Sequence, residues 1–230
     1  MATIVHIETS TNTCSTALSQ DGQCIAHQED RQGPSHARVL APFAEEMVSM
    51  ADSHAIPLDA VAVSSGPGSY TGLRIGISTA KGLCYGRNLK LISVSTLELL
   101  CVPILLYRED LPENALLCPM LDARRMEVYA AIYSRALKEI RPVGADIVDA
   151  DTYKQYLDQQ PVVFFGPGAP KCKEVIQHPN AIFIDGIEPL AKHMVPLAER
   201  KFLRGEFEDT AYFEPFYLKE FIAGESKRLF

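Results

Sequence analysis

The chain has 230 residues, 47% of them hydrophobic, with a formal net charge of -7 and six scattered cysteines. That is apolar material for one large core or two modest ones, so the chain reads as globular, neither a disordered tail nor a fibre. The acidic balance disfavours unaided nucleic-acid binding, the cysteines lack zinc or disulfide spacing and suit a reducing cytosol, and no apolar window reaches membrane-span length, so the expected compartment is the cytoplasm.

Apolar runs over residues 3–9 and 14–18 flank the polar turn Ser10 to Thr13, and Asp21-Gly22 signals a tight turn before Gln23 to His27. This predicts a three-stranded antiparallel start. The first strand ends on Glu8, followed by Thr9, Ser10 and Thr11. Such a turn can offer N–H and hydroxyl groups to phosphate while the acid organises a magnesium ion through water. A hairpin turn that merely faces solvent is the alternative.

From Ser35 the period becomes helical, with Val39, Leu40, Phe43, Ala44, Met47, Val48 and Ala51 recurring every three or four residues. Pro42 lies inside this run and is expected to kink its first turn. Together with Ala37 and Met50 these residues cover more than one stripe. A helix apolar over most of its circumference is buried on two sides, and a partner can supply the second. His36 reads more simply as a polar helix-start residue than as a base.

The buried strand Ala60 to Ser64 runs into SSGPGSYTGLRIG at 64–76 and then a helix ending near Gly86. The loop is neither a P-loop, since no G-K-[ST] closes it, nor a dinucleotide fingerprint in spacing. Gly66 and Gly68 stand where a strand, glycine turn and helix can hold an anion or bring two backbones close. Gly72, Gly76 and Ala80 fall four residues apart on one face. Each glycine costs about 1 kcal/mol of helix propensity relative to alanine, and close approach of another element is the expected compensation. That element is either the chain's own sheet or an associating partner.

Leu91 to Val94 reads as a strand, and Ser95-Thr96-Leu97-Glu98 has the capping-box pattern for a helix through Pro103. A mixed sheet covered on both faces follows. From Ala115 the chain repeats itself. A shift of 114 lays Ile7-Glu8-Thr9 on Leu121-Asp122-Ala123 and Thr16-Ala17-Leu18 on Ala130-Ala131-Ile132; a shift of 100 lays Ser65-Gly66-Pro67-Gly68 on Phe165-Gly166-Pro167-Gly168. Two matches in one order predict a duplicated α/β lobe, 1–108 and a smaller 109–230. The second is expected to hold helices over 151–159 and 170–177, strands over 162–165 and 181–185, a last helix over 190–205, and an extended arm over 214–230.

No two histidines stand at the i, i+4 spacing of a helical metal pair, so no metal site is expected. The charged run Asp122 to Glu127 reads as well as a solvated turn as it does a catalytic one. There is no G-x-S-x-G elbow, and a peptidase reading lacks a nucleophile and base that can be placed together.

The segments IETST at 7–11, SHARVL at 35–40, SSGPGSYTGLRIGISTAKGL at 64–83, SVSTLELL at 93–100, LDARRMEVYAA at 121–131 and PFYLKE at 215–220 resemble the bacterial TsaB family, also called YeaZ, over nearly the whole chain. The resemblance implies a two-lobed actin-like/hexokinase-like ATPase fold, a duplicated ribonuclease H-like arrangement with a reduced second lobe. It implies a non-catalytic role in making threonylcarbamoyladenosine on tRNA, pairing with the catalytic homologue TsaD in a complex with the ATPase TsaE and meeting tRNA only through it. The implied partner face joins His36, Val39, Leu40, Phe43 and Met47 to Gly72, Ile75, Gly76, Thr79 and Ala80, and the same face serves a homodimer. No cofactor is required. A vestigial ATP or ADP site would fall on Glu8, Thr9, Ser10, Thr11, Gly66 and Gly68, where the family's usual aspartate is replaced by the longer Glu8. The rival reading is a nucleotide-binding phosphotransferase or ATPase acting alone.

Overall fold

A computed structural model describes residues 2–33 and 35–219. Strands β1 (Thr3–Glu8), β2 (Cys14–Gln20) and β3 (Gln23–Asp30) form the expected antiparallel meander. Strands β4 (Ala60–Gly66) and β5 (Lys90–Ser95) add in parallel beyond β1, giving the order β3-β2-β1-β4-β5. Helix α1 (His36–Ser53) connects β3 to β4, α2 (Tyr70–Arg87) connects β4 to β5, and α3 (Thr96–Tyr107) leaves the sheet. Helix α1 runs unbroken through Pro42, which sits on its exposed side, so the expected kink does not interrupt it.

The second half repeats the first. Strands β6 (Leu116–Asp122), β7 (Glu127–Tyr133), β8 (Glu139–Ile147), β9 (Val162–Phe165) and β10 (Ala181–Ile184) pair in the order β8-β7-β6-β9-β10. That is the first sheet with five added to every strand number. Gly66 and Gly166, matched by the shift of 100, both take left-handed φ, +115° and +98°. The middle strands explain their own burial: Ala60 to Val63 and Val162 to Phe165 are apolar at successive positions and wholly buried, as parallel strands covered on both faces require.

Alternation along the strands sorts the layers. Val5, Ile7, Val61, Val63 and Leu91 face α1 and α2, whereas Ile4, Ala60, Ala62, Ile92 and Val94 face the other way. Leu99 and Val102 of α3 cover that second face with Met194, Leu197 and Ala198. The last two lie in α6 (Val195–Arg204), which follows a 3-10 turn at Ala191–Met194. Here the expected boundaries need correcting. The second lobe does not run on from 109 through the C-terminal helix, because the 3-10 turn and α6 return to the first sheet and complete the cover that α3 begins on its second face. Glu208 N also donates to Leu91 O at 2.9 Å. Helix α3 is buried on both sides, with Leu97, Leu100, Cys101 and Ile104 in the second lobe's core.

Other expectations shift too. Helices α4 (Lys154–Leu157) and α5 (Ala169–Cys172) are single turns where longer helices were predicted. Strand β8 (EIRPVGADI) carries no clean apolar alternation and includes Pro142, which an edge strand tolerates. Ser95 sits at the N-cap of α3 without a side-chain cap bond, so the capping box does not close. Five of the six cysteines are buried thiols; Cys24 is exposed. No helix among the described residues is long and apolar enough to cross a membrane. Of the predicted C-terminal arm, residues 220–230 lie outside the described ones.

Candidate functional site

Glu8 ends β1 completely buried. Its Oε1 accepts a 2.5 Å hydrogen bond from Ser10 N, while Oε2 has no partner among the described residues. Burial raises its pKa from 4.5 to about 7, opposed by the Ser10 hydrogen bond and the nearby polar groups of Ser64 and Thr9. Thr9 is equally buried, and its Oγ1 donates to Gly72 O at 2.8 Å. Neither residue lines the cleft between the lobes, nor does Gly66; Ser10, Thr11 and Gly68 do. The expected cofactor set is therefore split across a wall of backbone. A carboxyl buried behind that wall, its pKa pushed up toward neutrality by the burial, does not fit an organiser of magnesium-bound phosphate. Among the described residues no group of three or more His, Cys, Asp or Glu could hold a metal ion.

The glycine stripe turns inward. A Cβ on Gly72 would stand within 3.0 Å of Thr9 O, and one on Gly76 equally close to Thr9 Oγ1. A Cβ on Gly68 would meet Ser10 O at 2.5 Å, the same oxygen that accepts from Ser69 N at 2.7 Å. These glycines let α2 and its leading loop press on the chain's own β1–β2 turn. Gly72, Gly76 and Ala80 are buried, so they are not partner-facing residues as expected, and the backbone that nestles against them belongs to this polypeptide. Leu40 and Met47 are core residues too, and His36 is 8% exposed. Of the expected partner face, Val39, Phe43, Ile75 and Thr79 keep partial exposure.

The outer side of the same helix pair holds an apolar groove of about 350 Å³, lined by Ala41, Ala44, Glu45, Val48, Thr79, Gly82 and Leu83. Gly82 and Gly86 are exposed, and a Cβ on either would meet nothing within 4 Å. Their spacing of four was visible in the sequence beside the stripe at 72, 76 and 80. Nothing in the sequence said which stripe faced outward, because every position of both is small.

The cleft itself is a trough of about 1510 Å³. One wall carries the β1–β2 turn and the start of α2, where Ser69 Oγ accepts from Gly72 N at 3.2 Å. The opposite wall carries Leu121 to Glu127, Tyr129 and Ile147. A strap over residues 211–219, of which Phe216 to Lys219 line the cleft, runs from one lobe to the other. Lys81 Nζ donates to Ala211 O and Phe213 O at 3.0 and 3.2 Å, and Phe216 N donates to Ser65 O at 2.7 Å. The Tyr217 ring lies 4.6 Å from that of Tyr70 while its hydroxyl accepts from Arg74 Nε at 3.0 Å. Lys219 then pairs with Glu127 on the second lobe. Residues 215–219 thus tie the two lobes together, and Arg124 and Arg125, in the charged run that the sequence left open between a solvated turn and a catalytic one, line the cleft.

Comparison with known proteins places these features. A family model described as TsaD: tRNA N6-adenosine threonylcarbamoyltransferase matches residues 31–225. The chain is 30% identical over 230 residues to the Escherichia coli tRNA threonylcarbamoyladenosine biosynthesis protein TsaB, covering 96% of each, and 29% identical to the Bacillus subtilis protein of the same name, covering 94% of each. A Pseudomonas aeruginosa structure described as similar to peptidase YEAZ superposes with a TM-score of 0.80 at 26% identity, covering 95% of this chain and all of that one. An Arthrobacter polyphosphate/ATP-glucomannokinase, at 10% identity and TM-score 0.52 over 89% of this chain and all of that one, shares the fold alone. The paired sheets are those of the two-lobed actin-like/hexokinase-like fold.

Proposed function

The chain belongs to the TsaD family in its TsaB (YeaZ) branch, and from that premise we propose that it is an accessory subunit of tRNA threonylcarbamoyladenosine biosynthesis. In this reading it performs no chemistry of its own. It docks a TsaD-type catalytic homologue through the α1–α2 groove, works with a TsaE-type ATPase in the cytoplasm, and forms a homodimer through the same groove when alone.

The observation that carries the reading is the apolar, open groove around Gly82, because exposed apolar concavities on a helix pair suit helix-on-helix packing by small residues. The burial of Glu8 supports the second half of the proposal, since the carboxyl at the end of β1 does not line the cleft. Omitting this chain from a reconstituted mixture with the catalytic homologue and the ATPase should abolish threonylcarbamoylation of tRNA. Isothermal titration of the isolated chain with Mg-ATP should give weak heat or none. Tight binding with turnover lost in Glu8→Ala would instead establish the rival, a phosphotransferase acting alone.

A further inference from the structure

The turn between β6 and β7 carries two adjacent arginines in left-handed backbone, Arg124 at φ +70° and Arg125 at +47°. Glycine or asparagine takes that region at least cost, and a strained pair of long cationic side chains there is the kind of feature retained at functional sites. The turn is otherwise well held, with Ala123 N donating to Glu127 O, Glu127 N to Arg124 O and Arg124 N to Asp122 Oδ1, at 3.0, 3.1 and 2.9 Å. Both arginines are exposed and line the interlobe cleft.

Each acid of that cleft has a basic side chain within ion-pair distance. Asp122 pairs with Lys171 at 2.5 Å, Glu127 with Lys219, and Glu188 with Arg31 at 3.7 Å. Among the described residues no acid pairs with Arg124 or Arg125, so a chain of net charge -7 presents two uncompensated guanidinium groups at one place. The half-buried Tyr129 and the 45% exposed Phe216 line the same cleft. At about 1510 Å³ the trough exceeds the ~300–1,000 Å³ of an ordinary small-ligand pocket. Unpaired guanidiniums and partly exposed aromatic rings lining one trough match the way a single nucleic-acid strand is held.

Building on the subunit reading above, we propose that Arg124 and Arg125 hold phosphates of a tRNA single strand laid in this cleft, once a partner's surface offsets the acidic charge of the chain. The test measures the affinity of the assembled complex of this chain and its catalytic homologue for an unmodified tRNA transcript across a series of KCl concentrations. The variant Arg124→Asn/Arg125→Gly should melt higher than the parent, because both substitutions relieve the backbone, yet flatten the plot of log affinity against log salt by about 1.4, from two phosphates at about 0.7 each. Arg124→Gln/Arg125→Gln, which keeps side-chain bulk without charge, should flatten it equally, and Arg124→Lys/Arg125→Lys should restore the slope.

An unchanged slope in both neutral variants overturns the proposal. So does loss of assembly with the catalytic homologue, which would make the turn a protein contact, or a shift in Mg-ATP binding that tracks the arginines instead of the tRNA. Failure of the underlying reading looks different: tRNA is then modified equally well with this chain left out.

Discussion

At the scale of single residues, glycines sharing one helix have opposite jobs. Gly76 has no room for a methyl against Thr9, so Gly76→Ala is expected to cost about 2–3 kcal/mol in urea denaturation, as overpacking does. Gly82 faces open space, and Gly82→Ala should be neutral or gain up to about 1 kcal/mol of helix propensity. Glu8 gives a pH signature. Its folded pKa of about 7 exceeds the ordinary 4.5, so between those values the folded state binds the extra proton and Glu8 makes stability fall as pH rises. Buried His6, lowered from 6.5 to about 3, acts with the opposite sign, as does His193, lowered to about 4. Glu8→Gln should therefore steepen the rise of stability with pH by about 1.4 kcal/mol per unit from pH 4.5 to 7, leaving other regions unchanged. A parallel pair of stability curves would show that the carboxyl is not buried as described. The acid and its hydroxyl neighbours were legible in the sequence, but their burial was not, because it depends on α2 lying directly over Thr9.

At the scale of elements, strand periodicity was read correctly wherever a strand is buried on one or both faces, as in β1, β4 and β9. It failed at β8, an edge strand whose burial is only partial and whose pattern is broken by Pro142 and Gly144. The helices show the same limit. Helix α1 buries one face against the first sheet, through Leu40, Ala44, Met47, Val48 and Ala51, as its period predicts; the rotation of α2 against it was not readable, since small residues occupy both candidate faces. That rotation decides the functional prediction. Gly82→Leu should fold with a melting temperature near that of the parent, yet fill the α1–α2 groove and weaken self-association by at least tenfold in sedimentation equilibrium. Gly76→Leu should instead fail to fold stably, so its loss of association would say nothing about the surface.

At the scale of the whole molecule, the internal repeat was legible at two offsets and fixes the shared strand order of both sheets. The crossing of the chain back to the first lobe was not, because the partner of α6 is a sheet face more than 100 residues away in sequence. The strap at 211–219 adds a second tie between lobes beside α3. Removing its tilted Tyr217–Tyr70 ring contact through Tyr217→Ala should cost about 1 kcal/mol and speed hydrogen exchange at the adjacent Phe216 amide, which donates to Ser65 O. Under the proposed function, activity at this scale is an assembly property: the lobe-one helices would recruit the catalytic homologue and the acid of β1 would take no part. The most direct check is the rate of tRNA threonylcarbamoylation by the reconstituted proteins with Gly82→Leu and Glu8→Gln compared side by side. The rate should be retained in Glu8→Gln and lost in Gly82→Leu in proportion to lost association with the catalytic homologue. Full activity in Gly82→Leu together with an inactive Glu8→Gln would contradict it.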